Sequence, residues 1–128
     1  MLLLDTSVLI ELERELAEDR VGAVRAFLGR NNAEELACST ITVGELATGR
    51  DEIAVRVFLR RLRKIPVSEP IAYRASALDR ILRAKGRRLG ENDTWIAATA
   101  QHYSATLVHG DGHFERVSSL KRLRLGSQ

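Results

Sequence analysis

Two short segments, Leu2-Leu3-Leu4 and Leu36-Ala37-Cys38, are apolar at every position, and Thr106-Leu107-Val108 is nearly so. None alternates apolar with polar residues, as a strand with one wet face would. A run of this kind suits a strand of a parallel sheet covered on both faces. Each is followed by turn or capping residues and then by helical spacing. This recurrence limits the chain to an α/β architecture with helices on both sides of a mainly parallel sheet.

The intervening stretches fit that frame. Asp5-Thr6-Ser7 supplies caps for a helix running on through Val8, Leu9, Leu12 and Leu16. Val21 to Leu28 reads as a second helical piece that ends near Gly29. Helices are expected from about Thr42 to Thr48, from Ile53 to Leu62 and from Ile71 to Ala84. Ile65-Pro66-Val67 reads as a brief edge strand because of its proline. Asn92 or Asp93 is placed to cap a helix carrying Trp95 to Ala100. Gly110-Asp111-Gly112 reads as a turn, Phe114 to Val117 as one helical turn, and Leu123-Arg124-Leu125 as a last strand. With 128 residues, no internal repeat and no linker, the expectation is one domain over 1–128.

Composition removes several classes. There is no apolar run of the roughly 18 residues that a membrane span needs. Asp5 follows Leu4 at once, which leaves no long apolar core for a signal peptide, so the cytoplasm is the expected compartment. The single cysteine excludes an intramolecular disulfide framework and a multi-cysteine zinc site. The net charge of +3 hides an uneven distribution. Residues 1–49 carry four basic and nine acidic side chains, residues 50–88 twelve and four, and residues 89–128 four of each. The basic middle is either a solvated helix face or a contact surface for a phosphate backbone or acidic partner.

Four acids stand where sheet topology makes them interesting. Asp5 follows the first apolar run and Asp111 follows the third across a short turn. Asp93 opens the helix of Trp95, and Glu45 falls in the first turn of the helix after the second run. Ligands of open parallel sheets bind beyond the carboxyl ends of the strands, so Asp5 and Asp111 should face one cleft. Converging carboxylates repel and raise one another's pKa values, a conflict that a hard divalent cation resolves. Such an ion can activate water and clamp a phosphodiester. Each acid also has a plainer role open to it: Asp5 and Asp93 as caps, Glu45 as a first-turn helix acid, Asp111 as a turn residue.

Other patterns fail on chemistry. Gly44 to Asp51 has P-loop glycine spacing, but Arg50 and Asp51 replace the lysine and hydroxyl, and Glu45 would repel phosphate. Asn92-Asp93-Thr94 matches a glycosylation sequon with no route to a secretory lumen. His109 and His113 lack a third soft ligand for zinc, and His113 reads as a bystander near the cleft. Trp95 and Cys38 read as core residues.

Five segments together resemble the PIN-domain family, and within it the VapC-type toxin ribonucleases of type II toxin-antitoxin systems. They are Leu3 to Ile10, Ser39 to Leu46, Asn92 to Ala100, Ala105 to Val108 with Asp111, and His113 to Val117. The match runs nearly end to end. His109-Gly110 and His113 depart from the polar and acidic residues that relatives often carry there. The resemblance implies a flavodoxin-like, three-layer α/β/α fold. It implies an acidic quartet of Asp5, Glu45, Asp93 and Asp111 holding one or two Mg²⁺ or Mn²⁺ ions, with Thr6 and Ser7 in support. It implies metal-dependent endoribonuclease activity on RNA, blocked by a cognate VapB-like antitoxin that alone brings the pair to operator DNA, and usually a homodimer. Arg56, Arg60, Arg61, Arg63, Arg87 and Arg88 are the candidate RNA contacts. Two other readings stay open: an antitoxin-binding module with weak or no catalysis, and a solitary RNA-processing nuclease.

Overall fold

A computed structural model describes residues 1–126; residues 127 and 128 of the expected domain lie outside the described residues. The elements in chain order are β1 (Leu2–Leu4), α1 (Thr6–Ala17), α2 (Ala23–Arg30), β2 (Leu36–Ser39), α3 (Thr40–Ala47), α4 (Glu52–Phe58), β3 (Arg63–Ile65), α5 (Glu69–Ala84), α6 (Glu91–His102), β4 (Thr106–His109), a 3₁₀ helix (Gly112–Arg116) and β5 (Arg122–Arg124). The strands form one five-stranded sheet in the order β3-β2-β1-β4-β5. Every pairing is parallel.

Strand periodicity explains the layers. Successive residues of a strand point to opposite faces. Leu2, Leu4, Cys38 and Val108 therefore join α1 to α4 through Val8, Leu9, Phe27, Leu46 and Leu59. Leu3, Ala37, Ile65 and Leu107 join α5 and α6 through Ile71, Leu78, Leu82, Ile96 and Ala97. This is the expected three-layer arrangement, with two cores sharing one sheet. The chain moves outward from β1 to β3 with helices on one face. It then crosses to β4 and β5 with helices on the other, as right-handed crossovers require. The direction of travel reverses between β1 and β4, so the carboxyl ends of those two strands flank a crevice.

Local chemistry sets the helix ends. The Asp5 side chain accepts from the Val8 amide, Ser39 from Ile41 and Asp51 from Ala54, each capping the helix that follows. Gly86, at a φ of +66°, ends α5 with the Arg87 amide bonded back to the Leu82 carbonyl at 2.8 Å.

Several boundaries differ from expectation. β3 spans Arg63–Ile65 rather than Ile65–Val67, so Pro66 follows the strand instead of occupying it. A proline there leaves all strand amides available for pairing. β5 spans Arg122–Arg124 rather than 123–125, and its three residues are exposed at the sheet edge. The helix expected to reach Leu62 ends at Phe58, and Leu59 and Leu62 pack into the core from the following turn.

One buried polar group holds α1 and α2 together. Glu15 is fully buried, and its carboxylate accepts from the amides of Gly22 (2.8 Å), Val24 (3.0 Å) and Arg25 (3.0 Å). α2 has no side-chain cap of its own, so a carboxylate from α1 fills that role. Burial acts to raise the Glu15 pKa, but the three amides and nearby Arg20 reverse it and hold the group below the usual range. A Cβ on Gly22 would lie 2.7 Å from this carboxylate. Glu15→Gln should destabilise the fold by about 1–3 kcal/mol at neutral pH. A depressed carboxyl pKa stabilises above the unfolded value, so this deficit should shrink as pH falls below about 4.3. Gly22→Ala should show a loss of similar size. Urea denaturation at pH 7 and pH 3.5 measures both, and an unchanged midpoint for either variant would show that the capping carboxylate does not stabilise the fold.

Candidate metal centre

The crevice at the β1–β4 reversal collects all four candidate acids. Asp5 ends β1, with its amide bonded to the Val108 carbonyl at 3.0 Å and its side chain 4% exposed. Asp111 follows β4 and caps the 3₁₀ helix through the His113 amide at 2.9 Å. Glu45 arrives from α3, where its Oε1 accepts from Thr6 Oγ1 at 2.6 Å and its Oε2 from Asn92 Nδ2 at 3.3 Å. Those two bonds join β1–α1, α3 and the start of α6. His113 Nδ1 lies 3.2 Å from Asp111 Oδ2 and 4.0 Å from Asp93 Oδ2, joining the remaining pair.

Two placements correct the sequence reading. α6 starts at Glu91 with Gly90 as its cap residue, so neither Asn92 nor Asp93 is the N-cap. Both lie inside the first turn, where their side chains are free to meet the crevice. Glu45 is not in the first turn of α3, because the helix begins at Thr40 with Ser39 as cap. The dipole argument for Glu45 lapses, and its position is set by Thr6 and Asn92 instead.

The supporting hydroxyls have clear partners. Ser7 Oγ donates to Asp5 Oδ1 at 2.8 Å and accepts from the Gly110 amide at 3.2 Å, tying α1 to the β4 turn. Thr6 Oγ1 also lies 3.1 Å from Thr42 Oγ1, whose residue is fully buried. Thr42, Asn92 and His113 were not singled out as site residues from sequence. Thr42 stands three residues before Glu45, on the same helix face, and that spacing was a usable signal. From sequence, Asn92 reads only as a possible cap, and His113 as a bystander near the cleft where relatives often carry an acid. His109, fully buried, has Nδ1 2.6 Å from the Asp111 carbonyl and packs edge-on to Phe114, while its Nε2 has no hydrogen-bond partner.

Burial first, and neighbouring charge behind it, raises two of the four acids. Burial, followed by the charges of Asp93 and Asp111, raises the Asp5 pKa to about 6 against the opposing bonds from Val8 and Ser7. Burial, then Glu45 and Asp111, raises Asp93, with His113 acting the other way. Asp5 and Asp93 therefore feel the charge of their neighbours. Among the described residues no three His, Cys, Asp or Glu side chains are already gathered as a metal-ligating cluster. The carboxylates of Asp5, Glu45 and Asp111 are instead turned to Ser7 and Val8, to Thr6 and Asn92, and to His113. The donor set is all oxygen on the acids, with hydroxyls around it and no thiol, since Cys38 is buried in the core. That chemistry fits a hard divalent cation that keeps several waters.

The arginines do not form one surface. Arg60 and Arg61 lie in the turn leading into the amino end of β3. Arg63 begins that strand, pairs with Glu35 at 3.7 Å and stacks over Tyr103 at 5.2 Å. These three are at the end of the sheet away from the acids. Arg56, on α4, pairs with Glu52 at 2.9 Å. Arg87 and Arg88 lie in the α5–α6 connection; the Arg88 guanidinium meets Asp79 at 2.9 Å and its carbonyl accepts from Arg116 at 3.0 Å.

The PIN domain family model matches residues 2–120. The chain is a member of the PIN-domain family. This PIN-domain chain is 31% identical over 135 residues to ribonuclease VapC11 of Mycobacterium tuberculosis, covering 99% of this chain and 98% of that one. It is 27% identical over 128 residues to ribonuclease VapC1 of Haemophilus influenzae, covering 93% of each. Among solved structures it is similar to FitAcB from Neisseria gonorrhoeae, with a TM-score of 0.79, 26% identity and 97% of each chain covered. The DNA-bound VapBC of Salmonella typhimurium, at 22% identity, shares the fold with a TM-score of 0.83 over 96% of each chain.

The raised Asp5 pKa has a consequence for stability. A carboxyl pKa above its unfolded value of 3.8 stabilises the fold at low pH, and that contribution is lost as pH rises towards about 6. A shift of this size corresponds to about 3 kcal/mol of strain from Asp5 at pH 7 in metal-free protein. Asp5→Asn keeps an acceptor for Val8 and Ser7 and removes the charge. It should raise stability in EDTA at pH 7 by about 1–3 kcal/mol, with little gain at pH 4. Denaturant titration of the two proteins at both pH values checks this. A variant less stable at pH 7 would contradict the charge strain.

Proposed function

We propose that this PIN-domain protein is a metal-dependent endoribonuclease toxin. The observation that carries the reading is the convergence of Asp5, Glu45, Asp93 and Asp111, coupled in charge, at the β1–β4 crevice. The names of its relatives, VapC ribonucleases, support the same substrate class.

Within this reading the four acids would hold one or two Mg²⁺ or Mn²⁺ ions. When bound, such an ion lowers the pKa of water and stabilises charge on a phosphodiester in displacement. The chain's own groups supply the order around it. Ser7 fixes one oxygen of Asp5 and, through the Gly110 amide, the turn that carries Asp111. Thr6 and Asn92 hold the two Glu45 oxygens apart on separate partners. His113 lies between Asp93 and Asp111, with its Nδ1 4.0 Å from one and 3.2 Å from the other. Of the candidate RNA contacts, Arg87 and Arg88 remain in the proposal, because their connection leads directly into α6 and its Asp93.

A cognate VapB-like antitoxin is the proposed regulator, occupying the crevice and linking the protein to operator DNA. Two features support a protein partner. α4 leaves Ile53 and Val57 71% and 57% exposed one turn apart, and Val43, Val55 and Leu59 line a groove beside them. Structures similar in fold include toxin-antitoxin complexes, among them one from Klebsiella pneumoniae at 26% identity and a TM-score of 0.73. The protein is proposed to act in the cytoplasm as a homodimer; among the described residues no helix is long and apolar enough to cross a membrane.

Purified protein should cleave total cellular RNA with Mg²⁺ or Mn²⁺, and EDTA should abolish it. Asp93→Asn should lower the rate by at least about 100-fold, the scale for losing one preorganised charge in a site of this kind. Mapping of the new RNA ends for wild type and variant checks both. Identical fragments from both proteins, or cleavage by Asp5→Asn in metal-free buffer, would overturn the assignment.

A further inference from the structure

β5 was expected only as a closing strand, yet it carries a charge pattern that the quartet does not use. Arg122 and Arg124 are two residues apart on one strand and so share a face. Their partners agree: Arg122 Nη1 meets the Val117 carbonyl at 3.4 Å, and Arg124 Nη1 meets Glu115 Oε1 at 3.1 Å. An open groove of about 510 Å³ follows this face, lined by His109, Glu115, Leu120, Lys121, Arg122 and Arg124.

Three cations and one carboxylate make the groove net positive. The histidine is fully buried, with its Nδ1 2.6 Å from the Asp111 carbonyl. The single anion does not neutralise the wall. The Arg124–Glu115 pair is about half exposed on both sides and engages one guanidinium nitrogen, so solvent screens it and it holds the arginine weakly. The Arg124 side chain is half exposed, and a planar guanidinium fork suits phosphate oxygens.

The groove also begins at the crevice. His109 pairs with Arg124 in register, and Asp111 follows His109 by two residues. The Arg124 guanidinium comes within 3.4 Å of where a Gly112 Cβ would stand. A chain leaving the acids past Gly112 therefore meets Arg124, then Arg122, then Lys121 along the outer strand.

We infer that the β5 groove is a phosphate-binding track for the RNA strand beside the cleaved bond, with Arg124 and Arg122 as its contacts. The inference rests on the ribonuclease reading for its substrate class. An acidic protein segment is the competing occupant. RNA is favoured because the track opens onto a centre whose donor chemistry is that of phosphodiester cleavage, and because planar guanidinium forks suit phosphates.

The test reads binding apart from cleavage. Wild-type protein and Arg122→Gln/Arg124→Gln are each made on an Asp5→Asn background with Mg²⁺ present. A fluorescein-labelled single-stranded 20-nucleotide RNA is titrated against both by anisotropy. The double variant should bind at least about tenfold more weakly, and the slope of log affinity against log salt should fall by about 1.4 for two lost contacts. Arg30→Glu, which changes net charge by the same amount at the end of α2, should bind as the parent does. Circular dichroism melting reports whether the variants fold, and Arg122→Lys/Arg124→Lys should recover most of the affinity. An affinity within twofold of the parent, or an equal loss in Arg30→Glu, overturns the track. A polyglutamate peptide that binds the parent as tightly as the RNA, and loses affinity in the same variant, overturns RNA as the occupant. RNA binding that depends on the two arginines in a protein whose Asp5 form cleaves no RNA would sink the ribonuclease reading and leave the track standing.

Discussion

Gathering carboxylates at one end of a sheet works against folding, because each must lose water in the field of the others. In this chain the conflict is visible in the raised pKa values of Asp5 and Asp93. The rest of the molecule is organised to sustain it. β1 is central, flanked by β2 and β4, and its side chains are buried to both sides. Asp5 cannot withdraw without unpairing its amide from Val108 and uncapping α1. Ser7 binds α1 to the β4 turn, and Glu45 binds α1 to α3 and α6. The site is thus strained in charge while these bonds hold its backbone in place.

The layout was legible to the extent that it followed from strand chemistry. Apolar runs at 2–4, 36–38 and 106–108 became the three inner strands, and the reversal of direction at β1 placed Asp5 and Asp111 together. Elements on the margin were read less well. β3 and β5 are short edge strands with polar residues, so hydrophobicity carried little information about their bounds. Ile65 and Leu123 drew each assignment towards the apolar residue. Helix starts misled in a related way: Asp93 has a cap residue's chemistry, but Gly90 takes the cap and leaves Asp93 to the crevice.

Within the site, single acids were legible and their partners were not. Thr42 meets Thr6 and Asn92 meets Glu45 through tertiary contacts between separate elements, while His113 meets Asp111 across a local turn whose course depends on the fold. The same limit applies to charge. A count over residues 50–88 merged arginines that the fold separates: Arg60, Arg61 and Arg63 lie by the amino end of β3, while Arg88 meets Arg116 in the segment after Asp111. Arg124, in register with His109 two residues before Asp111, belongs to a stretch whose overall charge is balanced.

The central claim is that Asp5, Glu45, Asp93 and Asp111 form one cation site. Direct binding of Mn²⁺, followed by electron paramagnetic resonance of the free ion at pH 7, tests it most simply. Wild-type protein should take up one or two ions, and Asp5→Asn/Asp93→Asn should take up none in the same range. Uptake unaffected by the double substitution, or no uptake by a folded wild-type protein at millimolar Mn²⁺, would contradict the account.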